Sequence, residues 1–188
     1  DIEAFVSYAH SKGNKVCLKP MVNCKDNMWR AHIGFPDKNM DERDIYWNKW
    51  FDSYKHFILH YAKLAQELKC EMLCIGCEML GTEHRKYEWE YLIEEIRKTF
   101  SGKLVYNTNH DNEAAAQWID KLDYLGTSAY YPVGLNGANR ASMLEEWNKI
   151  KERLNKIAED KKKQYTAYPH KAHFYPLVLF GRRDLESS

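Results

Sequence analysis

Short apolar segments alternate along the chain with longer segments that repeat apolar residues at helical spacing, and this alternation constrains the fold most. Four apolar segments begin near Lys15, Glu71, Lys103 and Leu122, and each has the composition of a β-strand. Residues 46–68 carry apolar side chains every three to four positions, which predicts a helix with one buried face. Strands that alternate with helices usually form a parallel sheet. The sequence therefore predicts an α/β fold.

Local signals extend this pattern over the whole chain. Helices are predicted at residues 1–11, 87–100 and 112–119, and a further helix has Ser142 as its N-cap. Gly13 follows the first helix in a Lys-Gly-Asn sequence, which is typical of a helix C-terminus. Residues 174–180 (FYPLVLF) form one more strand-like segment. Because no linker or low-complexity tract interrupts the pattern, residues 1–188 are interpreted as one domain.

The charge and composition narrow the class of partner. The formal net charge of +1 gives no field of one sign that would attract nucleic acid or an anionic membrane. No run of 18 apolar residues is present that could span a bilayer. Aromatic residues make up 14% of the chain, and although most are expected in the core, such rings also stack on sugars. We therefore expect an uncharged partner, and an oligo- or polysaccharide is one candidate.

The sequence contains no pattern that predicts a metal or a cofactor. The five cysteines are odd in number, and we expect reduced, buried thiols. Cys74 and Cys77 form a CxxC, but residues three apart in a strand face opposite sides, which argues against shared zinc ligation. His170 and His173 lack a neighbouring carboxylate and are expected to have a surface or packing role. Glycine-rich phosphate-binding motifs are absent from the sequence.

Polar residues follow each predicted strand, and the carboxyl ends of parallel strands form the functional face of such folds. The residues singled out on this basis are Asn23, Trp29 and Arg30 after the first strand, Glu78 after the second, Asn107, Asn109 and His110 after the third, and Tyr130 and Tyr131 after the fourth. A carboxylate, amides, a guanidinium group and aromatic rings suit a sugar site better than a phosphate site.

Glu78 is the candidate catalytic residue. Apolar residues flank it on both sides, so poor solvation is expected to favour its neutral form, as a general acid requires. A capping or salt-bridged glutamate is the alternative interpretation. Glu83, Glu88 and Glu90 surround a helix start, and we expect them to be solvated or to interact with the helix dipole.

Several segments, in their order, carry a resemblance to a known family: LKPMV, WRAHIGF, WFDSYKHFILHYAKLAQ, IGCEMLGTE, YLIEEIRKTFSGKLVYNTN and LDYLGTSAYYPV. They resemble glycoside hydrolase family 113, the retaining endo-β-1,4-mannanases, over roughly residues 1–160. The resemblance implies an incomplete (β/α)8 TIM barrel that contains about strands 3 to 7 with their helices. It also implies that the substrate is β-1,4-linked mannan or a related plant β-glycan.

The resemblance further assigns roles to individual residues. It makes Glu78 the acid/base after the fourth barrel strand, with Trp29, Arg30, Asn109 and Tyr130 lining the sugar subsites. The residue before the acid/base is commonly Asn in the wider clan, whereas this chain has Cys77, so one usual hydrogen bond to the sugar is not expected.

A retaining enzyme needs a second carboxylate as nucleophile, and the resemblance puts it at the end of the seventh strand. Phe180 and Gly181 occupy that position, while Asp184 and Glu186 come later. Because the nucleophile is not recognisable, we expect very low activity of this chain. The alternatives are a glucanase or xylanase of the same clan and an inactive glycan-binding barrel fragment. The chain is expected to begin inside a helix, with its own N-terminus missing, and the sequence determines neither the compartment nor the oligomeric state.

Overall fold

The computed structural model describes residues 1–35, 40–162 and 178–181. Its strands are β1 (Cys17–Pro20), β2 (Met72–Cys77), β3 (Lys103–Asn109), β4 (Tyr124–Ser128) and β5 (Val178–Gly181). Its helices are α1 (Ile2–Ser11), α2 (Met40–Glu67), α3 (Lys86–Thr99) and α4 (Arg140–Lys162), with short 3-10 helices at Arg30–His32, Leu80–Thr82 and Gln117–Lys121.

The strands form one parallel sheet in the order β4-β3-β2-β1-β5. The prediction of four parallel strands that begin near residues 15, 71, 103 and 122 is therefore confirmed. Helices α2 and α3 connect the first three strands as expected, whereas a 3-10 helix lies between β3 and β4. All carboxyl ends lie at the same edge of a parallel sheet, so the loops after β1, β2, β3 and β4 share one face of the protein. Within the described residues the sheet is open, as an incomplete barrel requires.

The last strand does not lie where the barrel numbering predicts it. A seventh barrel strand would follow the sixth, beside β4, whereas β5 pairs with β1 at the opposite edge, Cys17 opposite Val178. This pairing satisfies N–H and C=O groups of β1 that would otherwise be unpaired at the edge of the sheet. The residue range of β5, Val178–Gly181, overlaps the end of the strand predicted at residues 174–180. Residues 174–177 lie outside the described part of the chain.

The hydrophobic core lies between the sheet and the helices. The buried face of α2 carries the predicted repeat, with Trp47, Tyr54, Ile58, Tyr61 and Ala65 all buried. The rings of Trp89 on α3 and Trp118 stack with their centroids 4.4 Å apart. The expectation that most aromatic residues fill the core holds for these rings, whereas Trp29 is 48% exposed.

Two local predictions are corrected. Helix α4 begins at Arg140, and Asn139 rather than Ser142 caps it, because Asn139 Oδ1 accepts a hydrogen bond from the Ser142 backbone N–H at 3.0 Å. The predicted helix at 112–119 is a turn followed by the 3-10 helix Gln117–Lys121. By contrast, α1 does end before Gly13, whose φ of 74° lies in the left-handed region.

The helices in the described part of the chain include none with the length and apolar character needed to cross a membrane.

Candidate active site

Glu78 stands directly after β2, and a local irregularity of this strand orients it. Cys74 pairs with Val105 and Cys77 with Asn107, so β2 contains one more residue than β3 over this interval. Such a β-bulge bends the strand and redirects the residues that follow. Glu78 itself has a φ of 53°, and its backbone N–H donates to the Asn107 carbonyl oxygen at 2.8 Å.

Two residues of the loop after β1 contact the Glu78 carboxylate. Arg30 Nη1 lies 3.2 Å from Glu78 Oε2, and Trp29 Nε1 lies 3.4 Å from the same oxygen. Arg30 is fixed in turn by the Val22 carbonyl oxygen at 2.9 Å and by Asn23 Oδ1 at 2.9 Å. The structure therefore joins three of the predicted site residues directly, and Asn23 supports them.

The two loops approach closely because of a glycine. A Cβ atom on Gly81 would lie 2.0 Å from the Ile33 carbonyl oxygen, which no side chain tolerates without a backbone shift. Gly81 belongs to the 3-10 helix just after Glu78, and Ile33 ends the 3-10 helix that starts at Arg30. The absence of a side chain thus lets the Arg30 loop pack against the Glu78 loop.

Glu78 is mostly enclosed, with 15% of its side chain exposed, and Arg30 is enclosed to a similar degree. A carboxylate and a guanidinium group in such a place stabilise each other's charge. This ion pair is the salt bridge that the alternative interpretation of Glu78 expects. It does not separate the two interpretations, because the pair lies at the carboxyl ends of the strands, where a catalytic glutamate is also expected.

Asn109 and Tyr130 lie at the same edge of the sheet, but in the described residues no hydrogen bond joins either of them to Glu78. Asn109 ends β3 opposite Ser128 of β4, and its buried Oδ1 has no hydrogen-bond partner in the described structure. Tyr130 follows β4 and is 78% exposed. The convergence of Glu78, Asn109 and Tyr130 on one cleft stays a prediction.

Asn107 connects the neighbouring strand ends. Its Nδ2 donates to Ser128 Oγ at 2.6 Å and contacts Cys77 Sγ at 3.8 Å. Burial raises the pKa of the Cys77 thiol, so the group is neutral near neutral pH. Cys77 therefore supplies a small, weakly polar contact beside Glu78.

Glu83 is not solvated as the sequence suggested. It is 5% exposed and accepts hydrogen bonds from the Tyr106 hydroxyl at 2.9 Å and from Asn112 Nδ2 at 3.0 Å. Burial raises the pKa of its carboxyl group to about 7. No local pattern predicts this, because Glu83 is buried by residues more than 20 positions away.

The other two glutamates near this helix start form ion pairs within α3 or next to it. Glu88 pairs with Arg85, and Glu90 lies 3.9 Å from Lys86. Glu88 lies in the first turn of α3, where an acidic side chain is expected to interact favourably with the helix dipole.

Among the described residues, no group of three or more His, Cys, Asp or Glu side chains is arranged to hold a metal ion. The five cysteines are free thiols, and burial raises the pKa of Cys17 to about 12 and that of Cys74 to about 11. His170, His173, Asp184 and Glu186 lie outside the described residues.

The fold and the site together define a class of protein. A parallel sheet with alternating helices, and a glutamate with amide, guanidinium and indole groups at the carboxyl ends of its strands, are compatible with a barrel-type glycoside hydrolase. The model of glycoside hydrolase family 113 matches residues 1–168. The chain belongs to this family.

Solved structures agree with the family assignment. A family 113 β-1,4-mannanase complex is 36% identical, with a TM-score of 0.71, 85% of this chain covered and 48% of the other. Another family 113 β-1,4-mannanase is 34% identical, with a TM-score of 0.71 and coverages of 95% and 49%. The β-mannanase AaManA from Alicyclobacillus acidocaldarius, in complex with ManMIm, is 35% identical, with a TM-score of 0.73 and coverages of 86% and 48%.

The chain spans about half the length of these solved relatives. No curated protein matches it.

Proposed function

We propose that this chain acts in the hydrolysis of β-1,4-linked mannan by a retaining mechanism, with Glu78 as the general acid/base. The observation that carries the proposal is the contact of Trp29 and Arg30 with Glu78 at the carboxyl end of β2. The similar solved structures are mannanases, and one of them is a complex with ManMIm, which supports mannan as the substrate.

Glu78 has two tasks in this mechanism. In the first step its carboxyl group donates a proton to the oxygen of the leaving sugar while a second carboxylate, not recognisable in this sequence, bonds to the anomeric carbon. In the second step the Glu78 carboxylate takes a proton from the water that displaces this second carboxylate. The mostly enclosed position of Glu78 limits competing water, while the Arg30 guanidinium stabilises the carboxylate that remains after the first step.

Four residues are proposed to bind the sugar: Trp29, Arg30, Asn109 and Tyr130. The exposed rings of Trp29 and Tyr130 are available to stack on sugar faces. The unpartnered Oδ1 of Asn109 is able to accept a hydrogen bond from a sugar hydroxyl, and an unpaired buried acceptor otherwise costs about 1–3 kcal/mol.

The test is digestion of mannohexaose, xylohexaose and cellohexaose by the purified 188-residue chain. We expect shortening of mannohexaose alone, at a low rate. A β-anomer formed first in proton NMR spectra would show that the chain supplies the second carboxylate that retention requires. Glu78→Gln should lower the rate by about 10²- to 10⁴-fold, the usual contribution of a general acid/base.

Glu67→Gln is the matched control. Glu67 ends α2 and is exposed, with Lys63 4.0 Å away, so loss of its charge should leave the rate unchanged. Turnover that survives Glu78→Gln would contradict the proposal. Preferred cleavage of xylohexaose or cellohexaose would indicate a xylanase or glucanase, and binding of mannohexaose without cleavage would indicate a glycan-binding protein.

A further inference from the structure

The backbone at Glu78 is held in an unfavourable conformation. A φ of 53° lies in the left-handed region, where a residue with a side chain is strained. Such a conformation persists only where the surroundings fix it. The position of a catalytic carboxyl group depends directly on this backbone, so the groups that fix it affect the reaction without touching the sugar.

Two consecutive backbone N–H groups tie this turn to β3. The N–H of Glu78 donates to the Asn107 carbonyl oxygen at 2.8 Å, and the N–H of Met79 donates to the Tyr106 hydroxyl oxygen at 3.0 Å. The first contact is between backbones and is independent of side-chain type. The second is made by a side chain, and it is therefore specified by the sequence.

We propose that Tyr106 and Glu83 are positioning residues for Glu78: Glu83 orients the Tyr106 hydroxyl, which holds the Met79 N–H and thereby the turn that carries Glu78. This inference rests on the proposed role of Glu78 and extends it to residues buried behind the site.

The Tyr106 ring is rigidly packed beneath the bulge of β2. It is fully buried and makes edge contacts with Trp89 and Trp118 at centroid distances of 5.4 and 4.9 Å. A Cβ atom on Gly76 would lie 2.7 Å from this ring, so only a glycine in the bulge leaves room for it. The hydroxyl group therefore has a fixed location below the Glu78 turn.

The proton of the Tyr106 hydroxyl has a defined acceptor. It is donated to Glu83 Oε1 at 2.9 Å, which leaves the oxygen lone pairs of Tyr106 for the Met79 N–H. Burial raises the pKa of Tyr106 well above its usual value, so the hydroxyl keeps its proton.

Glu83 is itself anchored on both sides. Its second oxygen accepts from Asn112 Nδ2 at 3.0 Å, and its backbone carbonyl oxygen accepts from Trp118 Nε1 at 2.9 Å. Hydrogen bonds in such a dry environment are strong and directional. The resulting series of contacts runs from Asn112 through Glu83 and Tyr106 to the peptide group after Glu78.

The experiment observes Glu78 itself. In the 188-residue chain with ¹³C-labelled glutamate carboxyl groups, the Glu78 signal is identified by its loss in Glu78→Gln. Tyr106→Phe removes the hydroxyl that holds Met79, and we expect it to move or broaden the Glu78 signal by more than its linewidth. Because the measurement needs no hydrolysis, failure of the proposed mannanase activity does not affect it.

Tyr54→Phe is the matched control. Tyr54 is also buried, and its hydroxyl also donates to a backbone group of β2, the Ile75 carbonyl oxygen at 2.8 Å. It does not contact the turn through a hydrogen bond, so its loss should leave the Glu78 signal unchanged. A Glu78 signal unmoved by Tyr106→Phe, or moved equally by both substitutions, would overturn the proposal.

A second pair of variants decides the question if Tyr106→Phe does not fold. Glu83→Gln keeps an oxygen that accepts from Tyr106, whereas Glu83→Met keeps the size but removes the acceptor. We expect the Glu78 signal to stay in place in the glutamine variant and to move in the methionine variant. The same response in both would contradict the role of Glu83.

Discussion

Glu83 is a carboxyl group inside the protein, with hydrogen bonds to both of its oxygens. Burial raises its pKa to about 7, although the bonds from Tyr106 and Asn112 lower it. In the unfolded chain the same group has an ordinary pKa near 4.5. Between these two values the folded protein keeps a proton that the unfolded chain releases.

Protein stability should therefore depend on the charge of Glu83. Its contribution is fully present below about pH 4.5 and is lost as pH rises to about 7, because the folded state binds more protons over this window. We expect Glu83→Gln to remove this decline, which amounts to about 3 kcal/mol. Urea unfolding of the unsubstituted protein and of the Glu83→Gln variant from pH 4 to pH 8 measures the difference in their free energies of unfolding.

Other carboxyl groups also titrate, so the comparison uses the difference between the two proteins at each pH. Glu113 and Asp123 have lowered pKa values, so their protonation in acid destabilises the unsubstituted protein and the Glu83→Gln variant alike. If the difference in unfolding free energy between the two proteins stayed constant from pH 4 to pH 8, Glu83 would have an ordinary pKa in the folded protein.

At the scale of elements, the contact between the loops after β1 and β2 brings the site residues together. Gly81→Ala should push these loops apart, since the new Cβ would meet a backbone oxygen at 2.0 Å. We expect a loss of about 1–3 kcal/mol in unfolding free energy, as for other overpacked positions. Chemical denaturation measures the stability, and loss of mannohexaose binding would report the displaced Arg30.

Gly34→Ala is the control in the same loop. Its new Cβ would lie 3.7 Å from the His32 carbonyl oxygen, an ordinary contact, so stability should be nearly unchanged. Equal effects of the two substitutions would show that the close approach at Gly81 is not what holds the loops.

Helix α4 has a half-buried apolar stripe, with Trp147, Ile150, Leu154 and Ile157 only partly covered. Its connection to the sheet is strengthened by Arg153, which donates to the buried Glu113 Oε2 at 3.0 Å and to Asp111 Oδ1 at 2.9 Å. Tyr131 and Thr127 also donate to Glu113. A charged side chain of this helix thus reaches the loop after β3.

Arg153→Met should destabilise the protein by about 3 kcal/mol, because it leaves the fully buried Glu113 carboxylate without its counter-charge. Lys149→Met is the control on the same helix. Within the described part of the chain, Lys149 pairs with its exposed neighbours Glu145 and Glu146, so its loss should leave stability nearly unchanged. Thermal unfolding compares the two, and similar shifts would contradict a special role of Arg153.

At the scale of the whole molecule, catalysis depends on a second carboxylate. The sequence Leu179-Phe180-Gly181 has no acidic residue where the resemblance expects the nucleophile. We therefore predict that the 188-residue chain cleaves mannan at least roughly 10³-fold more slowly than an enzyme with both groups. Reducing-sugar release from mannan measures this rate.

Robust turnover that Glu78→Gln abolishes would show that the second carboxylate is present elsewhere in the chain. Asp184 or Glu186 would then need to approach Glu78 to about 5–5.5 Å, the separation found in retaining enzymes. Substituting each by Asn or Gln, one at a time, would identify the nucleophile.

The sequence by itself determined the order of the elements, the parallel direction of the first four strands and the location of Glu78 at a strand end. These features follow from the periodicity of apolar residues and from local sequence, such as the glycine at position 13 that follows the end of α1.

Only the tertiary structure decided which distant groups meet. Arg30 and Trp29 contact Glu78 across nearly 50 residues, Glu83 becomes buried beside Tyr106, and β5 pairs with β1 instead of β4. No local pattern encodes such contacts, because burial and strand pairing depend on which surfaces the whole chain brings together. The same packing sets the charge states of buried groups, since solvation is lost only once the surrounding elements are in place.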